Sequence, residues 1–373
     1  MKPIILHEGT YSADDLKAWV DTLKIWRKLD LYPGQLEEIF EIENPGLLGK
    51  SDYPTRLAAY VKEHNSSTRG DWIYFPWSGE LMHSTNEHDY FRLRTNRNQN
   101  LITTTEQQKL YDARILVMGL SVGNSIANTL ASAGIAKQMS LADFDDLSTA
   151  NLNRVKAGIS DVGKSKHQLV AEQLYNINPY AVLDIHSSGL QKDGLQTLAG
   201  KLDIIFDEID DFAMKVNLRY FARDQKLPLI MMTSLGDNVL VDIERYDTDS
   251  TQKPFAGIVP DEILNEITTG KISEHDKVRY AVQLVDARFV PTKAMGSLLE
   301  IGKSLVGRPQ LANAISIDGG LAVSVVKKIV LGGDLQAGRY YFDAAELLGM
   351  VSDTADSPER IEIMEKLQGP RES

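Results

Sequence analysis

The chain has 373 residues, 43% of them hydrophobic, enough for a sizeable core in two or three domains or in one large α/β domain with additions. Acidic residues outnumber basic ones by 52 to 40 for a net charge of −12, which repels a phosphate backbone and argues against nucleic acid as a partner. Cysteine is absent, which excludes disulfides, thiolate zinc sites and any thioester on this chain.

The longest apolar runs, 115–120 and 321–326, fall far short of the roughly 20 residues a membrane helix needs. The N-terminus lacks a basic segment followed by an apolar block, so the expectation is a soluble cytoplasmic protein with no membrane partner.

Residues 1–93 read as a mixed, mostly helical accessory region. Ser12-Ala-Asp-Asp15 caps a helix expected over 14–28, where Leu16, Trp19, Val20, Leu23 and Trp26 recur at helical spacing. Asp71-Trp-Ile-Tyr-Phe-Pro-Trp77 reads as a short strand whose aromatics form a buried seam rather than a binding surface.

From residue 94 to 245 strands and helices alternate. Thr103-Thr-Thr-Glu106 is a capping box before a short helix. Strands are expected at 114–118, 138–142, 181–186, 202–206 and 228–232, with helices at 125–133, 165–176 and 211–224 between them. That alternation predicts an α/β fold, a Rossmann-like, mostly parallel sheet with helices on both faces. Beyond it, 246–373 reads as a charged, irregular insertion or mobile lid through Arg279, then a helix at 310–331, a strand at 339–342 and a polar, loosely ordered tail from Ser352.

The chemistry concentrates between 97 and 211. Gly119-Leu-Ser121-Val-Gly123 follows a strand and opens a helix, where backbone N–H groups and the helix N-terminus favour a phosphate. Ser121 and Asn124 stand where a dinucleotide fingerprint has its second and third glycines, which disfavours a nicotinamide oxidoreductase. Asp143 ends the next strand and suits a ribose. It is followed by Asn151, Asn153, Arg154, Asp161, Lys164 and Lys166, so that amides, a guanidinium and an ammonium gather downstream of one phosphate loop. Converging cations are what phosphoryl or adenylyl transfer requires. A second acidic group, Asp203, Asp207, Glu208, Asp210 and Asp211, ends a buried strand; one member suits Mg²⁺, and Asp211 is assigned to the cap of the next helix.

The motifs Arg94-Thr-Asn-Arg97-Asn, Leu130-Ala-Ser-Ala-Gly134, Ala150-Asn-Leu-Asn-Arg154, Asp161-Val-Gly-Lys-Ser-Lys166, Ile177-Asn-Pro179 and Phe206-Asp-Glu-Ile-Asp210-Asp-Phe occur in one order. In that order they resemble the ThiF/MoeB/HesA family of the ubiquitin-activating-enzyme superfamily. The resemblance implies ATP- and Mg²⁺-dependent adenylation of a carboxylate. It implies Asp143 at the ribose, Asn151, Arg154 and Lys166 at the phosphates, Asp210 on Mg²⁺, and Arg97 as a finger supplied across a homodimer. The chain departs from the family in a glycine loop one residue shorter and in lacking both the C-x-x-C zinc site and the catalytic cysteine, so no zinc is expected.

With no thiol of its own, the chain resembles the members that modify microcin- and pantocin-type peptides in antibiotic biosynthesis. Residues 1–93, through Trp19, Trp26, Trp72 and Trp77, either dock a peptide or extend the core or dimer interface. An activator of a ubiquitin-like sulfur carrier, a tRNA-modifying dehydratase and a non-catalytic heterodimer partner stay open as alternatives.

Overall fold

The computed structural model describes residues 2–273, 280, 283–285, 287–354 and 357–368. The chain forms two compact units, one of residues 1–111, 131–137 and 171–181, the other of residues 112–130, 138–170 and 182–373.

The first unit is built on a four-stranded sheet of order β1-β3-β4-β2, with β1 Ile4–Leu6, β2 Arg27–Asp30, β3 Asp71–Phe75 and β4 Glu80–Ser84. β3 and β4 form a hairpin, its turn closed by Gly79 N–H donating to Phe75 O at 2.8 Å. Trp72, Tyr74, Leu81, Tyr11 and Leu16 make its core.

The expected helix starts on a Ser12–Asp15 capping box but runs only Ala13–Val20. Residues 27–30 pair instead with the open edge of β4, so Lys28 lies on a strand. Backbone pairing at a sheet edge outweighs the helical spacing that Trp26 suggested, and Trp26 is 77% exposed. Trp72 is buried and stacks on His83 with ring centroids 4.3 Å apart.

The second unit holds a seven-stranded sheet of order β11-β10-β9-β8-β5-β6-β7. Its strands are β5 Arg114–Met118, β6 Gln138–Ala142, β7 Val182–His186, β8 Ile204–Asp207, β9 Pro228–Leu235, β10 Asn238–Arg245 and β11 Gly338–Phe342. β5 to β9 run parallel to one another, whereas β10 pairs antiparallel with both β9 and β11. Ile115, Leu116, Val117, Ile204, Ile205 and Phe206 are fully buried, as continuous apolar runs covered on both faces must be.

Strand β10 is absent from the sequence reading. β9 continues to Leu235 and turns back through Gly236-Asp237, Gly236 having a φ of +66°. Charges that hide β10 in the sequence are neutralised by distant partners, Asp242 by Arg339 and Glu244 by Arg219.

Part of the expected irregular insertion is ordered. Helix Asp261–Thr268 and Phe255 share a buried cluster with Val216, while Arg279, the expected end of the irregular stretch, lies outside the described residues. The tail after Ser352 is likewise not wholly loose. Helix Pro358–Gln368 packs Ile363, Met364 and Leu367 against Leu235, Leu240, Val290 and Met295. No helix among the described residues is long and apolar enough to cross a membrane.

Candidate active site

The chain runs β5, β6, β7 in one direction and then returns to place β8 on the other side of β5, so the sheet has a switch point at β5. Crevices outside the carboxyl ends of strands at such points bind ligands. A cleft of about 570 Å³ opens there, bordered by Met118, Ala142 and Asp207, the last residues of β5, β6 and β8.

Gly119 and Ser121 line the cleft, and Gly123 packs beneath it. Gly119 has a φ of +87°, and a Cβ there would stand 2.3 Å from Glu208 O, so only glycine fits. At Gly123 a Cβ would meet Val117 Cγ1 at 2.6 Å, which keeps helix Val122–Ser132 close against β5.

Asp143 lines the cleft, 8% exposed. Its two carboxylate oxygens accept the N–H groups of Leu120 at 2.6 Å and of Asp145 at 2.8 Å. An ionised carboxylate offers about four acceptor sites, so lone pairs remain for ligand hydroxyls.

The predicted cations and amides divide. Arg154 lines the cleft, its Nη1 donating to Ala150 O at 3.1 Å and Asn153 Oδ1 at 2.8 Å, while its buried Nε has no hydrogen-bond partner among the described residues. Burial and then the charge of Arg308 push the Arg154 guanidinium below its ordinary range, with Asp210 opposing them. Asn153 is outside the lining and acts as a brace, its Nδ2 donating to Gln310 O at 2.8 Å.

Lys166 is buried behind Asp145, with its Nζ 2.7 Å from Asp145 Oδ2. Asn151 caps the turn Thr149–Asn151, its Oδ1 accepting the N–H and hydroxyl of Ser148 at 3.0 and 3.1 Å. Neither side chain borders the cleft in this conformation. Arg97, in the first unit, is exposed and has no hydrogen-bond or ion-pair partner among the described residues.

The acidic group also divides. Asp203 pairs with Arg114 at 2.7 Å. Asp207 is fully buried; burial pushes its carboxyl up, but Lys215 at 3.1 Å and Arg219 at 2.6 Å hold it below the ordinary carboxylate range. Arg219 Nε in turn lies 2.9 Å from Glu244 Oε2, an ion pair without hydrogen-bond alignment. Asp211 caps helix Phe212–Asp224 by accepting Met214 N–H at 2.6 Å, as expected. Asp210 is left exposed at the cleft, with no hydrogen bond or ion pair among the described residues.

Several groups at or behind the cleft were given no individual role in the sequence reading. Lys215 and Arg219 stand four apart on the helix after β8, a spacing that could have marked them as partners for Asp207. Glu208 lines the cleft and accepts Met232 N–H at 3.0 Å. Burial and the nearby Asp318 push its carboxyl well above the usual range. Asp318, which accepts the Ser234 hydroxyl at 2.8 Å, is pushed by burial to about 7. Arg308 carries no local signal at all.

The pattern of the ThiF family matches residues 94–339. An uncharacterized protein of Mycobacterium tuberculosis is 33% identical over 287 residues, which are 77% of this chain and 39% of that protein. The sulfur carrier protein ThiS adenylyltransferase of Escherichia coli is 28% identical over 153 residues, 40% of this chain and 61% of the enzyme. The chain thus spans less than two thirds of the length of both relatives. Among solved structures, Escherichia coli MccB with MccA-N7isoASN is 17% identical, with 77% of this chain and 74% of that chain covered at a TM-score of 0.49. With the match extending over 94–339, the chain belongs to the ThiF family.

Proposed function

We propose that the chain adenylates a substrate carboxylate with ATP. The observation that carries this reading is the pairing, in one switch-point cleft, of a braced carboxylate suited to ribose, Asp143, with a guanidinium suited to phosphate, Arg154. The ThiF family match supports the same chemistry.

In the proposed step a substrate carboxylate oxygen attacks the α-phosphorus. The new P–O bond forms as the bond from that phosphorus to the bridging oxygen breaks, and pyrophosphate leaves with the electron pair. The product is an acyl-adenylate. Alignment and charge neutralisation supply most of the rate in such transfers. Arg154 would offset charge on the phosphates, and the N–H groups around Gly119–Ser121 would approach them.

Among the described residues, no group of three or more His, Asp or Glu side chains is placed to hold a metal. Mg²⁺ commonly takes only one or two protein carboxylates beside phosphate oxygens, so the unpartnered Asp210 fits that role. Bound there, the ion would neutralise phosphate charge.

With no cysteine, the chain passes its acyl group to a nucleophile of the substrate or of a second molecule, which attacks the carbonyl and releases AMP. A ribosomally made peptide in antibiotic biosynthesis is the substrate we favour, with residues 1–93 as its docking region and a homodimer supplying Arg97 in trans. The likeness to a ThiS adenylyltransferase supports a second reading, in which a small carrier protein's C-terminus is the carboxylate. ATP–pyrophosphate exchange with peptide and carrier-protein tails is the test. Exchange with a peptide alone selects the first substrate class and exchange with a carrier alone the second, whereas the absence of both exchange and ATP binding overturns the enzymatic reading.

A further inference from the structure

Arg154 and Arg308 both border the cleft, although they stand 154 positions apart in sequence, and the charge of Arg308 adds to burial in disfavouring the cationic form of Arg154. Two guanidiniums facing one cavity repel unless an anion lies between them. Arg308 is exposed and has neither a hydrogen bond nor an ion pair among the described residues, and Arg154 keeps a buried, unused Nε–H. The arrangement is held open by structure. Asn153 accepts from Arg154 Nη1 through Oδ1 and donates from Nδ2 to Gln310 O, so a single amide braces Arg154 and tethers the segment that carries Arg308. Pro309 further restricts Arg308 to extended backbone.

We infer that Arg154 and Arg308 form a two-guanidinium clamp for the pyrophosphate portion of ATP. The inference rests on the adenylation reading and assigns it a phosphate ligand outside the family motifs that the sequence shows. A planar guanidinium offers paired N–H donors matched to phosphate oxygens, and two of them suit a chain of linked phosphates better than a single carboxylate. The clamp would bind ATP and stabilise the charge that collects on pyrophosphate as it leaves.

Calorimetric titration of the full chain with inorganic pyrophosphate, ATP and AMP tests this, using wild type, Arg308→Gln and Arg308→Lys. Losing one charge-assisted contact weakens binding about ten- to a hundredfold. Arg308→Gln should therefore lose that much affinity for pyrophosphate and ATP while AMP affinity stays within about twofold, and Arg308→Lys should fall between. Arg308 is exposed, so the thermal midpoint should not move. Unchanged pyrophosphate affinity in Arg308→Gln overturns the clamp, as does an equal loss for AMP. If wild-type protein binds ATP and catalyses exchange while Arg308→Gln behaves identically, the clamp alone fails. If wild type binds none of the three, the adenylation reading fails and the clamp with it.

Discussion

The carboxylate of Asp143, at the end of β6, accepts the N–H of Leu120 at 2.6 Å and so holds the glycine loop that follows β5. The residue expected to meet the ribose is thus also the brace of the phosphate loop. Asp143→Ala should strip acceptors from two backbone N–H groups and cost about 1–3 kcal/mol in urea denaturation, together with most ATP affinity. Asp143→Asn, which keeps one carbonyl acceptor, should retain more stability than the alanine variant.

Neighbouring carboxylates Asp210 and Asp211 should separate function from folding. Asp210 has no structural partner among the described residues, so Asp210→Ala should abolish ATP–pyrophosphate exchange yet stay within about 0.5 kcal/mol of wild-type stability. Asp211→Ala removes a helix cap and should cost about 1 kcal/mol with a smaller loss of exchange. In mixed dimers, Arg97→Ala protein should partly rescue Asp210→Ala protein if the finger acts in trans, and no rescue would place Arg97 outside the reaction.

Gly119 is required by its conformation and by the approach of Glu208 O. Gly119→Ala should destabilise the chain by about 2 kcal/mol or more and block ATP binding, as read by denaturation and calorimetry. Gly158→Ala is the control: its Cβ would meet nothing closer than 3.7 Å, and stability should barely change.

Asp318 is raised from 3.8 to about 7 by burial, so the folded state holds its proton more tightly than the unfolded chain does. The stability this confers is fully present below the unfolded value and is lost as pH rises from about 4 through about 7. Glu208, also raised, acts in the same direction. Asp318→Asn should flatten this decline, narrowing the gap between urea midpoints at pH 5 and pH 8.

Much of the second unit was legible in the sequence because local patterns decide it. Apolar runs such as Ile115–Val117 can be satisfied only between two layers of helices, which dictates a parallel sheet and a ligand crevice at its carboxyl ends. Asp143 and Asp211 were readable from their positions at element ends, where a carboxylate meets free N–H groups. Strand β10 was not, because Asp242 and Glu244 look solvent-facing until Arg339 and Arg219 arrive from elsewhere in the chain.

The sequence by itself determined the alternating architecture, the family, the placement of the cleft and the absence of a thiol on this chain. Tertiary structure alone decided which charged groups face that cleft. Lys166 is drawn back onto Asp145 and Asn151 into a local cap, whereas Arg308 is brought beside Arg154 and Asp318 beside Ser234. Local periodicity and capping follow from neighbouring residues. A charge's partner, and hence its availability to a ligand, depends on contacts such as Asn153 to Gln310, which bridges 157 positions and leaves no trace in either local sequence.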